Sequence, residues 1–209
     1  NSKFGAIRLK DAIVDRCRAH FDGARPEVDT EESDIIFHLH IEEDRVSWFV
    51  DFSGRALHRR GYRDEQTEAV MSEYVASALI YRSEWYKAMV RDGRAGVLID
   101  PFCGSGTIAI EAALWAADRA PGLVKARNFA FLFLPIHDPD LYEQVVQEAM
   151  EREAAAKDRT ISIYGWDNDP KAIAIAKRAA EEAGVEDLID FRVKEFREIG
   201  EDDVPLEAG

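Results

Sequence analysis

Gly96–Val97–Leu98–Ile99–Asp100, followed at once by Pro101–Phe102–Cys103–Gly104–Ser105–Gly106–Thr107, decides the architecture. A short apolar run ends in an acid, a turn with two glycines follows, and the pattern from Ile108 to Ala117 is helical. Downstream, Ile161 to Trp166 reads as a second strand ending at Asp167. Pro170 sits where it can open a helix, which continues from Ala172 to Ala183 and stops at Gly184. Ile189, Phe191 and Val193 mark a third strand. Strand, helix, strand, helix, strand is the first half of an open parallel α/β sheet. An insertion at 118–158 separates the first helix from the second strand; it is irregular from Pro121 to Pro139 and helical and charged from Leu141 to Lys157.

Working back from this unit, Glu68 to Trp85 has helical periodicity, and Gly54 to Arg63 is a basic connector rich in turn residues. Before it, Leu9, Ile13, Cys17 and Phe21 recur every fourth residue, one stripe of an amphipathic helix that Gly23 and Pro26 end. Ile35, Phe37, Leu39 and Ile41 alternate with Ile36, His38 and His40, an acidic turn follows, and Val46, Trp48, Val50 and Phe52 alternate again, which predicts a hairpin. This helix and hairpin form a small α+β piece, too short to carry a core alone.

The 209 residues carry a formal net charge of −14. That balance counts against bulk electrostatic binding to nucleic acid, where phosphate contacts dominate affinity, but leaves room for a local basic face. His58, Arg59, Arg60 and Arg63 make one such cluster, and Arg119, Lys125 and Arg127 a second. No apolar run is long enough to span a bilayer, and Asn1 to Lys10 lacks the features of a signal peptide. Cys17 and Cys103 are far apart and suggest neither a disulfide framework nor a zinc site, so a reduced, cytoplasmic compartment is expected. His38 and His40 share a strand face but lack a third ligand, so no metal is expected.

In parallel α/β folds ligands bind beyond the carboxyl ends of the strands. Gly104 and Gly106 would let backbone approach a ligand closely, and the following helix N-terminus offers free N–H groups to a carboxylate or phosphate. No Lys follows the second glycine, which disfavours a nucleoside-triphosphate loop, and the G-x-G-x-x-G dinucleotide spacing is absent. Asp167 stands where an acid can accept two hydrogen bonds from ribose hydroxyls, while Asp169 is placed to cap the next helix. Glu195, after the third strand, could accept from the exocyclic amine of an adenine, and Phe196 could lie against its ring.

These residues resemble bacterial large-subunit ribosomal RNA guanine-N2 methyltransferases, which carry a THUMP RNA-binding domain ahead of a catalytic domain. The match is carried by Lys10–Asp11–Ala12–Ile13–Val14–Asp15, by Asp51–Phe52–Ser53–Gly54 with Leu57–His58–Arg59–Arg60–Gly61–Tyr62–Arg63, by Asp100 to Thr107 with Glu111–Ala112–Ala113, by Arg119–Ala120–Pro121–Gly122 with Phe129–Ala130–Phe131, and by Gly165, Asp167 and Asp169–Pro170. Relatives of this kind are often labelled N6-adenine-specific DNA methylases. The resemblance implies an α/β fold, a Rossmann-like class I methyltransferase with the first half of its sheet present, preceded by a THUMP α+β fragment. It divides the chain into a THUMP-like part at 1–54, a basic junction at 55–67 and a methyltransferase part at 68–209.

The implied cofactor is S-adenosyl-L-methionine, held by Asp100, Phe102, Gly104, Gly106, Thr107, Asp167, Asn168, Glu195 and Phe196. The implied partner is ribosomal RNA, with His58, Arg59, Arg60 and Arg63 as phosphate contacts. Three departures stand out. Val70–Met71–Ser72–Glu73 replaces the family's Pro-apolar-Lys-Glu, and Glu195 replaces its Asp. The Asn-Pro-Pro-Tyr signature of amino-group methylation is expected beyond residue 209, so no catalytic residue is named and this fragment by itself is expected to be inactive. A non-catalytic RNA-binding scaffold and an adenine-N6 DNA methyltransferase are the alternative readings.

Overall fold

The computed structural model describes residues 2–29, 33–54, 56–63, 71–94, 96–124 and 129–203. Lys125, Arg127 and the first residues of the helix expected from Glu68 lie outside them. The chain forms two compact units, Asn1–Phe52 and Ser53–Gly209.

The first unit holds helix α1 (Ser2–His20) and the antiparallel strands β1 (Ile36–Glu42) and β2 (Arg45–Asp51). The register sets Phe37 opposite Val50, Leu39 opposite Trp48 and Ile41 opposite Val46. Opposed residues share a face of the sheet, so the alternation seen in the sequence becomes one apolar face. Phe37 and Trp48 meet on it edge to face, with ring centroids 5.3 Å apart.

The second unit is built on a parallel sheet in the order β3 (Gly96–Asp100), β4 (Ile161–Asp167), β5 (Ile189–Val193). Helix α4 (Thr107–Ala116) links β3 to β4 by way of the insertion, and α6 (Pro170–Ala183) links β4 to β5. Parallel pairing demands such crossovers, and it explains why β4, the central strand, is buried from Ile163 to Trp166. Asp169 caps α6 as its sequence position suggests: its carboxylate accepts from the Lys171 N–H at 2.8 Å. The sequence Ile108–Ala109–Ile110–Glu111–Ala112–Ala113–Leu114 leaves α4 no polar face, and that helix is buried nearly throughout. It packs with Ile163, Ile173, Ala176, Ala180 and Phe191 into one core.

The helix expected up to Trp85 is shorter and divided. Helix α2 runs Glu73–Arg82, breaks at Ser83, and a further turn, α3 (Glu84–Tyr86), follows. The break has a local cause: the Ser83 hydroxyl donates to the Ile80 carbonyl at 2.6 Å and accepts from the Tyr86 N–H at 3.1 Å. A serine that satisfies flanking backbone in this way competes with helix continuation.

The insertion is anchored at the C-terminal end of α4. The C-terminal part of helix α5 (Pro139–Ala155) is tied to the residues just after α4 through Arg119 to Glu153 at 2.7 Å and Arg152 to Asp118 at 2.8 Å, and Arg159 donates to the Ala116 carbonyl at 2.8 Å. Cations at a helix C-terminus meet its unsatisfied carbonyls and the negative end of its dipole. Among the described residues no helix is long and apolar enough to cross a membrane.

Candidate cofactor site

The carboxyl ends of β3, β4 and β5 come together, and the candidate residues come with them. Parallel register sets Asp100 beside Gly165 and Asp167 beside Val193. The turn after β3 is then tied to β4: the Cys103 N–H donates to the Trp166 carbonyl at 2.9 Å, and the Gly104 N–H donates to Asp167 Oδ2, also at 2.9 Å. The other Asp167 oxygen accepts from the Asp169 N–H at 3.0 Å. Asp167 thus organises two loops as well as facing the site, and each of its oxygens keeps a lone pair for a further donor.

Asp100 folds back on its own turn, accepting from the Phe102 N–H at 3.3 Å. Burial raises its carboxyl above the ordinary range; the Phe102 hydrogen bond opposes that shift, and the nearby Asp167 charge adds to it. Cys103 is buried, and burial, helped by Asp100 and Asp167, pushes its thiol up to about 12. A thiol so hard to ionise is a packing group rather than a nucleophile.

The two glycines of the turn differ in purpose. Gly104 has φ +54, and a Cβ there would meet nothing within 4 Å, so its backbone is open to a ligand. Gly106 has φ +80, and a Cβ there would lie 2.7 Å from Phe191 Cζ and 2.9 Å from Ala176 Cβ. What requires glycine at 106 is therefore the core, not the approach of a ligand. Thr107 is also turned inward, buried with its hydroxyl accepting from Arg63 Nη1 at 3.1 Å.

On the far side of the turn, Phe102 and Phe196 form an exposed pair with ring centroids 4.9 Å apart and planes 31° from parallel. Asn168 Nδ2 donates to Glu195 Oε2 at 3.3 Å, so these two residues are joined as well. Six groups of the expected set, Asp100, Phe102, Gly104, Asp167, Glu195 and Phe196, consequently converge on the loops after three adjacent strands. Their chemistry is three acids, an open stretch of backbone and two aromatic faces, which suits a polar ligand with a flat ring.

The junction residues divide. Arg63 points inward, donating to the Met71 carbonyl at 2.9 Å and to Glu73 at 3.1 Å. Arg60 lies 3.5 Å from the carboxylate of Glu111, an ion pair rather than a hydrogen bond, and its Nη1 donates to the Leu57 carbonyl at 3.2 Å. His58 and Arg59 are exposed. Sequence reading did not find this inner network. Glu111 is 1% exposed in the middle of α4, and it accepts from the Tyr62 hydroxyl at 3.0 Å. Nearby Ser77 also pulls the Glu111 carboxyl down, and its hydroxyl accepts from Trp115 Nε1 at 2.9 Å. The signal was a single acid in an otherwise apolar helix: such a residue, once buried, demands a cationic or hydroxyl partner.

A separate cavity of about 500 Å³ lies in the insertion, lined by Phe129, Phe131, Ile136, Leu141, Tyr142 and Val145 among others. It includes none of the candidate cofactor residues.

The family model described as RMKL-like, methyltransferase domain, matches residues 60–206, and the THUMP domain model matches residues 1–51. The chain is 45% identical over 194 residues to ribosomal RNA large subunit methyltransferase K/L of Shewanella amazonensis, and 42% identical over 210 residues to the enzyme of that name from Shewanella pealeana. Those alignments cover 92% and 100% of this chain but only 26% and 28% of the relatives, so the chain spans about a quarter of their length. Among solved structures, it resembles a methyltransferase, SMU.472, complexed with SAH (34% identity, TM-score 0.71, 91% of this chain and 47% of that one). It also resembles a protein from Listeria monocytogenes named as an N6-adenine-specific DNA methylase (33% identity, TM-score 0.74, 92% and 47%).

Proposed function

The chain belongs to the family of RMKL-like methyltransferase domains, and from that premise we propose that it is the cofactor-binding part of an enzyme that methylates the exocyclic N2 of a guanine in large-subunit ribosomal RNA, in the cytoplasm. The observation that supports this best is the 2.9 Å bond from the Gly104 N–H to Asp167, which draws the open glycine turn and the candidate ribose acid into one site. The residues present fit S-adenosyl-L-methionine. Asp167 and Asn168 would take the ribose, Phe102 and Phe196 the adenine faces, Glu195 its amine, and the turn at Gly104 the amino-acid portion. Bound there, the cofactor supplies a methyl group already activated by its sulfonium.

What remains for the protein is placement. Asp100, Gly104 and Asp167 fix one reactant, and alignment of a second against it can supply about 7–11 kcal/mol of barrier reduction. The amine of a paired guanine is out of reach, so the target is an unpaired or flipped base. The THUMP match at residues 1–51 favours RNA over the DNA substrate named for the Listeria protein.

Two measurements test this reading. The whole protein, incubated with labelled cofactor and undermodified ribosomal RNA, should yield N2-methylguanosine on nucleoside analysis; N6-methyladenosine instead would move the assignment to the other substrate. For the present chain, calorimetric titration with S-adenosylhomocysteine should give an affinity that Asp167→Ala weakens by about 1.5–3 kcal/mol, the worth of a charge-assisted hydrogen bond. Unchanged affinity would remove Asp167 from the site.

A further inference from the structure

We propose that Tyr74 and His58 form a stacking platform for an unpaired RNA base, with Arg59 beside it as a phosphate contact. The proposal rests on the RNA reading above and adds to it a residue, Tyr74, that neither the sequence pattern nor the cofactor site points to.

The two rings come from separate segments of the second unit and meet edge to face, with centroids 5.7 Å apart and planes at 65°. Tyr74 remains 56% exposed at the start of α2. Leu57, next to His58 in the chain, is 57% exposed as well. Exposed aromatic rings are usually tolerated singly; a pair held in a fixed arrangement next to a cation has the composition of a nucleic-acid surface.

Both rings are held from beneath. The Arg59 N–H donates to the Ala56 carbonyl at 3.1 Å and closes a turn that carries His58 near its tip. Arg60 clamps that turn from inside through the Leu57 carbonyl and the buried Glu111. Arg63 does the same for Tyr74: it binds the Met71 carbonyl and the Glu73 carboxylate, the groups just ahead of Tyr74 on the chain. Two arginines read from the sequence as phosphate contacts thus act as internal anchors, and what they hold outward is a pair of rings. A surface ordered before binding loses less entropy when it binds.

The chemistry selects the ligand. Every base offers a π face, so stacking on Tyr74 is tolerant of sequence but needs a base that is not already stacked in a duplex. In a chain of net charge −14, Arg59, next to His58 in the chain, supplies a local electrostatic contact that the overall balance opposes.

The test is fluorescence anisotropy of labelled RNA with the 209-residue chain, comparing an unstructured single strand with a duplex of the same composition. Tyr74→Ala should weaken single-strand binding about ten-fold and leave duplex binding unchanged, whereas Tyr74→Phe should stay within about two-fold of wild type. Leu79→Ala, an equally exposed change on α2, should have no effect. Arg59→Ala should weaken both RNAs and reduce the slope of affinity against salt by about one. Wild-type single-strand affinity in Tyr74→Ala, or an equal loss for strand and duplex, would overturn the platform while leaving the RNA reading in place. Absence of any RNA binding by the wild-type chain would overturn the platform and the junction's assignment to RNA together.

Discussion

Replacing Glu111 with alanine is expected to lower the unfolding free energy of the second unit by about 3–5 kcal/mol, the cost of removing one member of a buried ion pair. The carboxylate is 1% exposed and faces the Arg60 guanidinium at 3.5 Å and the Tyr62 hydroxyl at 3.0 Å. Alanine would leave the Arg60 guanidinium without its counter-charge and the buried Tyr62 hydroxyl without its acceptor. Urea denaturation followed through tryptophan fluorescence measures the loss; a change under about 1 kcal/mol would show that Arg60 and Tyr62 find other partners. Glu111→Gln keeps the size and one acceptor and should cost less. Its pH dependence is informative. Burial raises the Glu111 carboxyl above the ordinary range, against the pull of Arg60, Tyr62 and Ser77. A carboxyl whose folded pKa is raised binds its proton more tightly in the folded state. Its contribution is fully present below the unfolded pKa and is lost as pH rises through the folded one. The advantage of wild type over Glu111→Gln should therefore be largest in acid and shrink as pH rises out of the ordinary carboxylate range. An advantage that grew with pH would show that Arg60, not burial, dominates.

The same network explains what was and was not legible in the sequence. The strands at Gly96–Asp100, Ile161–Asp167 and Ile189–Val193 were readable because each is a short apolar run bounded by turn residues, and the cap at Asp169 because Pro170 follows it. Asp100, Gly104 and Asp167 were readable for a related reason: their position at strand ends is a property of the local pattern, and the fold needs only to set the strands side by side. The division of the basic cluster was not readable. His58, Arg59, Arg60 and Arg63 look alike in a linear string, and only tertiary contacts with Glu73 and Glu111 turn two of them inward. The break at Ser83 failed to show for the opposite reason. A hydroxyl bonding its own neighbours is a local effect, but it competes with a helical apolar pattern that continues unbroken through it.

Gly106→Ala should be the most damaging single methyl that can be added to the cofactor turn, at about 2–5 kcal/mol. Two costs combine. The backbone has φ +80, where a residue with a Cβ loses roughly 1–2 kcal/mol. The new methyl would also sit 2.7 Å from Phe191 Cζ and 2.9 Å from Ala176 Cβ. Overpacking of a tight core costs typically about 1–3 kcal/mol, and Ala176 has no rotamer by which to yield. Relief would require α6 or β5 to move away from α4, and those are the elements that bring Ala176 and Phe191 into the core against the turn. Gly104→Ala separates the two uses of glycine in this turn. It shares the left-handed backbone, φ +54, but its Cβ would meet open space. It should cost about 1–2 kcal/mol of stability and act mainly on ligand approach. Urea unfolding paired with calorimetric titration of S-adenosylhomocysteine distinguishes them. Gly106→Ala should lose stability by the larger margin, and Gly104→Ala should lose affinity while remaining folded. If Gly106→Ala unfolds within about 0.5 kcal/mol of wild type, the packing of Phe191 and Ala176 against the turn is looser than these distances require.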